Sequence, residues 1–264
     1  MPALDQDDAE ASDFVKLLYI GDSGTGKTGS LVSLVPDYDL RLLDLDSGRG
    51  VLKAFAKKLY PDRLGSIGFV SVRDQFKADK TYGATVKKAT AFTEVAKYLT
   101  EWDDGTTPSE WGKDKILVID TLTTLGNASL NWAQGMDPLA KDGRQWYNTG
   151  QTAIENIISM VTSDDFKTNV IVIAHINYTE LKDGTTKGYP SALGSKLGPK
   201  IGKYFNNLVV AERSGTGLNV KRRIRLVPTE LVDVKLEAPF AFPDMKDLPL
   251  ETGMAELFAA LKAN

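Results

Sequence analysis

The sequence predicts an α/β fold with a mostly parallel central sheet flanked by helices and an antiparallel C-terminal extension. Three observations carry that expectation. Continuously apolar runs such as ILVI (116–119) and VIVI (170–173) suit strands buried on both faces of a parallel sheet, since a sheet with one wet face alternates. These runs are interleaved with stretches of helical periodicity. Towards the C-terminus an SGTG turn at 214–217 is followed by the alternating KRRIRL, the pattern of a half-exposed antiparallel hairpin.

In chain order, strands are expected at 14–20, 40–45, 67–72, 115–120, 169–175, 207–212, 220–227 and 232–236. Helices are expected at 27–34, 50–60, about 84–102, about 122–134, 146–162 and 253–262. Two stretches read as long loops, 135–144 and 177–202. The second carries Gly184, Gly188, Gly194, Gly198 and Gly202 with Pro190 and Pro199, a content unsuited to a helix interior or a central strand. A loop of that length in a compact domain is usually functional or disordered. No Pro/Gly/Ser-rich linker or internal repeat divides the chain. The expected organisation is an acidic disordered tail over 1–13 and a single domain over 14–264.

Composition narrows the chemistry. The 264 residues include no cysteine and one histidine, with 42% hydrophobic and 25% charged residues. This excludes a disulfide framework, Cys-ligated zinc, a thiolate nucleophile and a His-rich metal site. No run approaches the ~18 apolar residues of a membrane span, and the N-terminus is acidic where a signal peptide is basic. A cytoplasmic protein with no membrane partner is the expectation. The net charge of -3 conceals an uneven distribution. Residues 1–13 hold Asp5, Asp7, Asp8, Glu10 and Asp13 without a basic residue, leaving +2 for the remainder. Between Lys187 and Arg225 nine basic residues face Glu212 alone. That stripe suits a polyanionic partner.

GDSGTGKT, Gly21-Asp22-Ser23-Gly24-Thr25-Gly26-Lys27-Thr28, followed by Gly29, lies between an apolar strand and a helix-like stretch. It satisfies the phosphate-loop pattern, in which glycines let backbone N–H groups turn towards a phosphate and the next helix adds its N-terminal dipole. Lys27 would reach the β- and γ-phosphates of a nucleotide and the Thr28 hydroxyl would bind Mg²⁺. Asp120, closing KILVID, supplies the acid that such a metal needs, although it also fits a helix cap before TLTTL. Asp44 and Asp46 end the second strand two residues apart, so both are expected on one side of the sheet. One of them could polarise an attacking water; a turn formed by Asp46-Ser47-Gly48 is the local alternative. His175 ends VIVIAH at the edge where parallel strands face a ligand, or else is a capped core residue.

Lys182, Lys187, Lys196, Lys200 and Lys203, interleaved with Tyr178, Tyr189 and Tyr204, offer phosphate contacts and stacking faces for single-stranded nucleic acid, or else an ordinary solvated loop. Arg222, Arg223 and Arg225 are divided between an exposed hairpin face and a phosphate contact. Trp132, Trp146 and Tyr147 read as helix-face packing.

The order of GDSGTGKT, LLDLDSG, ILVIDTLTTL, VIVIAH and LVDVKLEAPFAFPDMKDLPLETG resembles the RecA-like P-loop ATPases, in particular the compact phage members that include single-strand annealing recombinases. The resemblance spans roughly 14–253 and implies a RecA-like P-loop NTPase core that uses ATP and Mg²⁺. It places Asp46 at the position of the family's catalytic carboxylate, usually a Glu, and His175 where a Gln or His couples nucleotide to DNA. It matches 135–144 and 177–202 with the family's two DNA-binding loops. Lys235 matches a lysine that in filaments reaches the neighbouring subunit's γ-phosphate. The implied partners are single-stranded DNA, further copies in a ring or filament, and a single-strand-binding protein; the implied location is the cytoplasm, a host's if the chain is phage-encoded. The expected activity is DNA-stimulated ATP hydrolysis in recombination or annealing. The alternatives are a helicase or translocase motor and a DNA-binding protein that holds ATP without hydrolysing it.

Overall fold

The computed structural model describes residues 14–263, so the expected acidic tail over 1–13 lies outside the described residues. The apolar runs form the centre of an eight-stranded sheet. Its parallel part is built from β1 (Lys16–Gly21), β2 (Asp39–Asp44), β3 (Ile67–Ser71), then β6 (Gly112–Asp120), β7 (Thr168–Ala174) and β10 (Asn207–Ser214). Between β3 and β6 lies a separate hairpin, β4 (Gln75–Asp79) and β5 (Gly83–Lys88). A second separate hairpin, β8 (Ile176–Glu180) and β9 (Thr186–Pro190), follows β7. After β10 the sheet is extended by β11 (Lys221–Arg225) and β12 (Asp247–Pro249). The strand order is β12-β11-β10-β1-β7-β6-β2-β3, antiparallel only in the β10–β11 and β11–β12 pairs.

Every residue of β1 and β7 is buried, as continuously apolar strands require when helices cover both faces. On one face lie α1 (Lys27–Ser30), α2 (Arg49–Leu59) and the C-terminal helix; on the other lie α3 (Ala91–Thr100), α4 (Leu122–Met136), α5 (Arg144–Val161) and α6 (Gly194–Ile201). The C-terminal helix is α7 (Gly253–Lys262). Side chains sort by strand parity: Leu17 and Tyr19 join the cluster under α2 and α7, whereas Leu18 and Ile20 join the one under α3 to α6. No helix among the described residues is long and apolar enough to cross a membrane.

Several expected elements are corrected. The helix expected at 27–34 is one α turn, α1, continued by a 3₁₀ turn over Leu31–Leu34. The helix expected from about 84 begins at Ala91, because Asp74 Oδ1 accepts the Ala91 N–H at 2.9 Å and the preceding Thr85 and Val86 pair in β5. The strand expected at 232–236 does not form: Val232 bridges Gly188 and Lys235 bridges Leu208, so the segment divides its pairing between two neighbours. The loop expected at 135–144 shrinks to the link between α4 and α5. The one expected at 177–202 is the β8–β9 hairpin followed by α6. Its glycines serve geometry: Gly194 has φ +66°, and a Cβ on Gly198 would lie 2.6 Å from Pro190 O.

Candidate nucleotide site

β1 delivers the phosphate loop to the C-terminal edge of the sheet, between β10 and β7. Gly21 presses on β10, where a Cβ would stand 2.5 Å from Ala211 O. Gly24 and Gly26 turn with φ +75° and +94°, a region that L side chains rarely enter. Thr25 Oγ1 donates to Asp22 O at 2.8 Å and ties the loop internally. Lys27 Nζ donates to Gly21 O at 2.6 Å and Asp22 O at 3.0 Å, which holds its charge inside the loop. Burial lowers the Lys27 ammonium to about 8, against the pull of Asp120, Asp22 and Asp46. With α1 only one turn long, a phosphate here would be held chiefly by the loop's own N–H groups.

The loop opens on a cleft of about 350 Å³ lined by Ser23, Gly24, Gly26, Lys27, Thr28 and Gly29, and across from them by Asp46, Gly48, Val51, Asp120, Thr121 and His175. Three strand ends meet there: β2 leads to Asp46, β6 ends on Asp120, and His175 follows β7. Thr28 Oγ1 donates to Asp120 Oδ2 at 2.8 Å. These are the hard oxygen donors that Mg²⁺ prefers, and one carboxylate with one hydroxyl leaves its other positions to water and phosphate. Burial raises the Asp120 carboxyl to about 6; Asp46 and Asp44 add to the rise, while the Thr28 hydrogen bond and Lys27 oppose it. In the cleft Asp46 and Asp120 face Lys27 alone, while Asp44 behind them lies beside Arg49, so the lining is suited to a cation.

Asp44 and Asp46, expected on one side, take different roles. Asp44 is fully buried; its Oδ1 accepts the Gly48 N–H at 2.9 Å and its Oδ2 lies 3.7 Å from Arg49 Nε. Asp46 stands beyond the end of β2 and faces the cleft. Thr121 Oγ1 donates to its Oδ2 at 3.0 Å, Thr124 Oγ1 donates to its Oδ1, and His175 Nε2 is 3.6 Å from Oδ2. His175 is anchored in turn, its N–H donating to Thr123 Oγ1 at 3.1 Å and its carbonyl accepting the Ser191 N–H at 2.7 Å.

Sequence reasoning missed several contributors. A Cβ on Gly48 would lie 2.3 Å from Asp120 Oδ2, so this glycine is what lets the Thr28–Asp120 hydrogen bond form. Thr121 and Thr124 orient Asp46; the TLTTL run after Asp120 was their only signal. Tyr178, expected as a stacking face and not as a partner of the phosphate loop, donates its OH to Asp22 Oδ2 at 3.4 Å and joins β8 to that loop. Arg222, which the sequence leaves between an exposed hairpin face and a phosphate contact, donates its Nε to Gly24 O at 3.3 Å from β11.

The remaining candidates lie outside the cleft. Lys182 is exposed in the β8–β9 turn, and Lys196 and Lys200 are exposed on α6. Lys187 lies 3.6 Å from Asp233 and Lys203 lies 3.4 Å from Glu155, so both are partly committed. Lys235 Nζ donates to Phe205 O at 2.9 Å, which occupies it within the chain. Arg225 makes a bidentate contact with Glu212, and Arg223 pairs with Glu212 and Asp247. Trp132 stacks on Phe92 at 4.8 Å and Trp146 Nε1 donates to Asp137 O, whereas Tyr147 is exposed.

A family model described as an AAA domain matches residues 13–236. The chain is similar to the solved structure of a KaiC-like protein, PH0186, from the hyperthermophilic archaeon Pyrococcus horikoshii OT3, at 11% identity and a TM-score of 0.41 over 80% of each chain. It is also similar to the flagellar accessory protein FlaH from Methanocaldococcus jannaschii, at 12% identity and a TM-score of 0.41, covering 96% of this chain and 95% of that one. No curated protein matches.

Proposed function

The chain belongs to the AAA domain family, and from that premise we propose that it hydrolyses ATP with Mg²⁺ and that its nucleotide state controls binding of single-stranded DNA, in phage-type recombination or strand annealing. The observation that carries the reading is a continuous contact path. Asp46 touches His175 in the cleft, His175 leads directly into β8, and Tyr178 of β8 returns to Asp22 of the phosphate loop. A strand bound on the exposed lysines of the β8–β9 turn and α6 would thus bear on both sides of the γ-phosphate position.

In this reading Lys27 exchanges its loop carbonyls for phosphate oxygens, and Thr28 with Asp120 holds the cation. When bound between Thr28 and Asp120, Mg²⁺ would supply charge neutralisation to the reacting phosphate. Asp46, aimed by Thr121, Thr124 and His175, positions a water in line with the γ-phosphorus. The water oxygen bonds to phosphorus, the bond to the ADP oxygen breaks, and the water's proton passes to the Asp46 carboxylate. A second reading, a nucleotide-gated binder without turnover, is favoured by one observation: both Asp46 oxygens already accept threonine hydroxyls.

Steady-state ATP hydrolysis with and without oligo-dT, at two salt concentrations, separates the two. The proposal expects turnover that DNA stimulates several-fold, with stimulation weakening as salt rises. Asp46→Asn should keep nucleotide binding and lose about 10²-fold or more of the rate. DNA binding that responds to ATP with no turnover in either protein establishes the second reading.

A further inference from the structure

The β4–β5 hairpin takes no part in the cleft and belongs to neither helical layer. Its strands pair only with each other, Phe76 opposite Val86, Lys77 opposite Thr85 and Ala78 opposite Ala84. A two-stranded ribbon with no third strand is marginal in water, so its fixation comes from its ends. At the tip Asp79 Oδ1 accepts the Thr81 and Tyr82 N–H groups, both at 2.9 Å, and Gly83 turns with φ +74°. At the root Asp74 accepts from Ala91 N and, at 2.8 Å, from Asn131 Nδ2 of α4, while the Arg73 guanidinium donates to Ser47 Oγ, the residue after Asp46. Because β3 runs parallel to β2, the arm leaves the sheet at the same edge as the cleft.

The arm's chemistry is one-sided. Over residues 75–88 it carries Lys77, Lys80, Lys87 and Lys88 against Asp79, a net +3, and the Asp79 carboxylate is engaged by the turn. None of these four ammonium groups has a hydrogen-bond or carboxylate partner among the described residues. Between them Phe76 is 62% exposed and Tyr82 78% exposed. Unpaired cations interleaved with bare rings fit a strand that offers both phosphates and unstacked base faces. A duplex would leave the rings unused, because its bases are already stacked.

We propose that the β4–β5 arm is a docking surface for single-stranded nucleic acid, with phosphates on Lys77, Lys80, Lys87 and Lys88 and bases on Phe76 and Tyr82. The inference rests on the reading that this protein binds single-stranded DNA, and it assigns that binding to an element apart from the β8–β9 turn and α6. Through Arg73 and Ser47 the arm also touches the loop that carries Asp46.

The test is fluorescence anisotropy of labelled oligo-dT with the full chain, at several salt concentrations. It compares wild type with the quadruple alanine variant of the four arm lysines, with Tyr82→Ala, and with Lys182→Ala/Lys196→Ala/Lys200→Ala. All these side chains are exposed, and retained ATP binding confirms the fold. The arm variant should lose affinity by 30-fold or more near 0.1 M salt, and its log–log salt slope should fall by about 3, at roughly 0.7 per phosphate contact. Tyr82→Ala should lose about tenfold with its salt slope unchanged. Wild-type affinity and slope in the arm variant, with loss in the triple variant, overturns the arm while leaving DNA binding intact. No binding by wild type at any salt overturns the arm together with the reading it rests on. Abolition by the arm variant of a self-association seen in sedimentation, with DNA affinity unchanged, assigns the arm to a second copy and likewise overturns the proposal.

Discussion

Gly48 decides whether Thr28 and Asp120 can meet. An added Cβ would stand 2.3 Å from Asp120 Oδ2 and 2.9 Å from both Thr28 Oγ1 and Cγ2. Its φ of -65° suits alanine, so a Gly48→Ala variant would act by contact and not through backbone strain. Mg²⁺-dependent ATP affinity should fall tenfold or more, at a stability cost of about 1–3 kcal/mol for overpacking. Gly50, with nothing within 4 Å of its own Cβ position, is the control: Gly50→Ala should bind normally and unfold at slightly higher denaturant. Titration with ATP at fixed Mg²⁺ and urea unfolding check both. At this scale the sequence displays what local pattern can encode. Lys27, Thr28, Asp120, Asp46 and His175 each end a strand or sit in a loop whose consensus is contiguous, and the structure brings them to one cleft. Gly48, Thr124 and Tyr178 act on partners 72, 78 and 156 residues away, and no contiguous pattern marks those contacts.

Elements were legible where burial is two-sided and obscure where it is not. β1, β6 and β7 announce themselves because both faces must be apolar. β5, with Thr85, Val86, Lys87 and Lys88, has one small apolar face and composition compatible with a helix, so only its pairing with β4 defines it. The misreading of 177–202 has a different cause. Glycine content argues against a helix interior, whereas Gly198 lets α6 lie against the carbonyl of Pro190 with no room for a methyl group. Gly198→Ala should therefore destabilise the protein by about 1–3 kcal/mol despite alanine's higher helix propensity. Urea unfolding reads this directly. A rise in stability would mean that propensity outweighs the contact and that α6 can move away from β9 without cost.

At the scale of the whole molecule the sheet separates its charges between its two ends. The C-terminal edge gathers Asp120, Asp22 and Asp46 around Lys27, and the N-terminal end of β1 buries Lys16 without an ion pair among the described residues. Lys16 Nζ donates to Phe166 O at 2.5 Å and Thr168 O at 2.8 Å and lies 5.0 Å from the Phe166 ring centroid. Burial lowers its ammonium to about 7, with Asp164 pulling the other way. The unfolded chain holds that proton up to about pH 10.5, so between pH 7 and 10.5 it binds more protons than the folded chain and stability rises with pH. The penalty is greatest below about pH 7 and is relieved as pH climbs towards 10.5. Lys27 contributes in the same direction, so the comparison must be made against a variant that retains it. Replacing Lys16 by Met removes the titrating group and takes a donor from Phe166 O, which keeps the Thr168 N–H, and from Thr168 O, a cost that does not depend on pH. The stability of wild type relative to Lys16→Met should therefore grow by about 1 kcal/mol per pH unit between pH 7 and 9.5. Urea midpoints measured at half-unit intervals give the slope. Parallel pH profiles for the two proteins would show that Lys16 keeps its proton in the folded state, held by its two carbonyls.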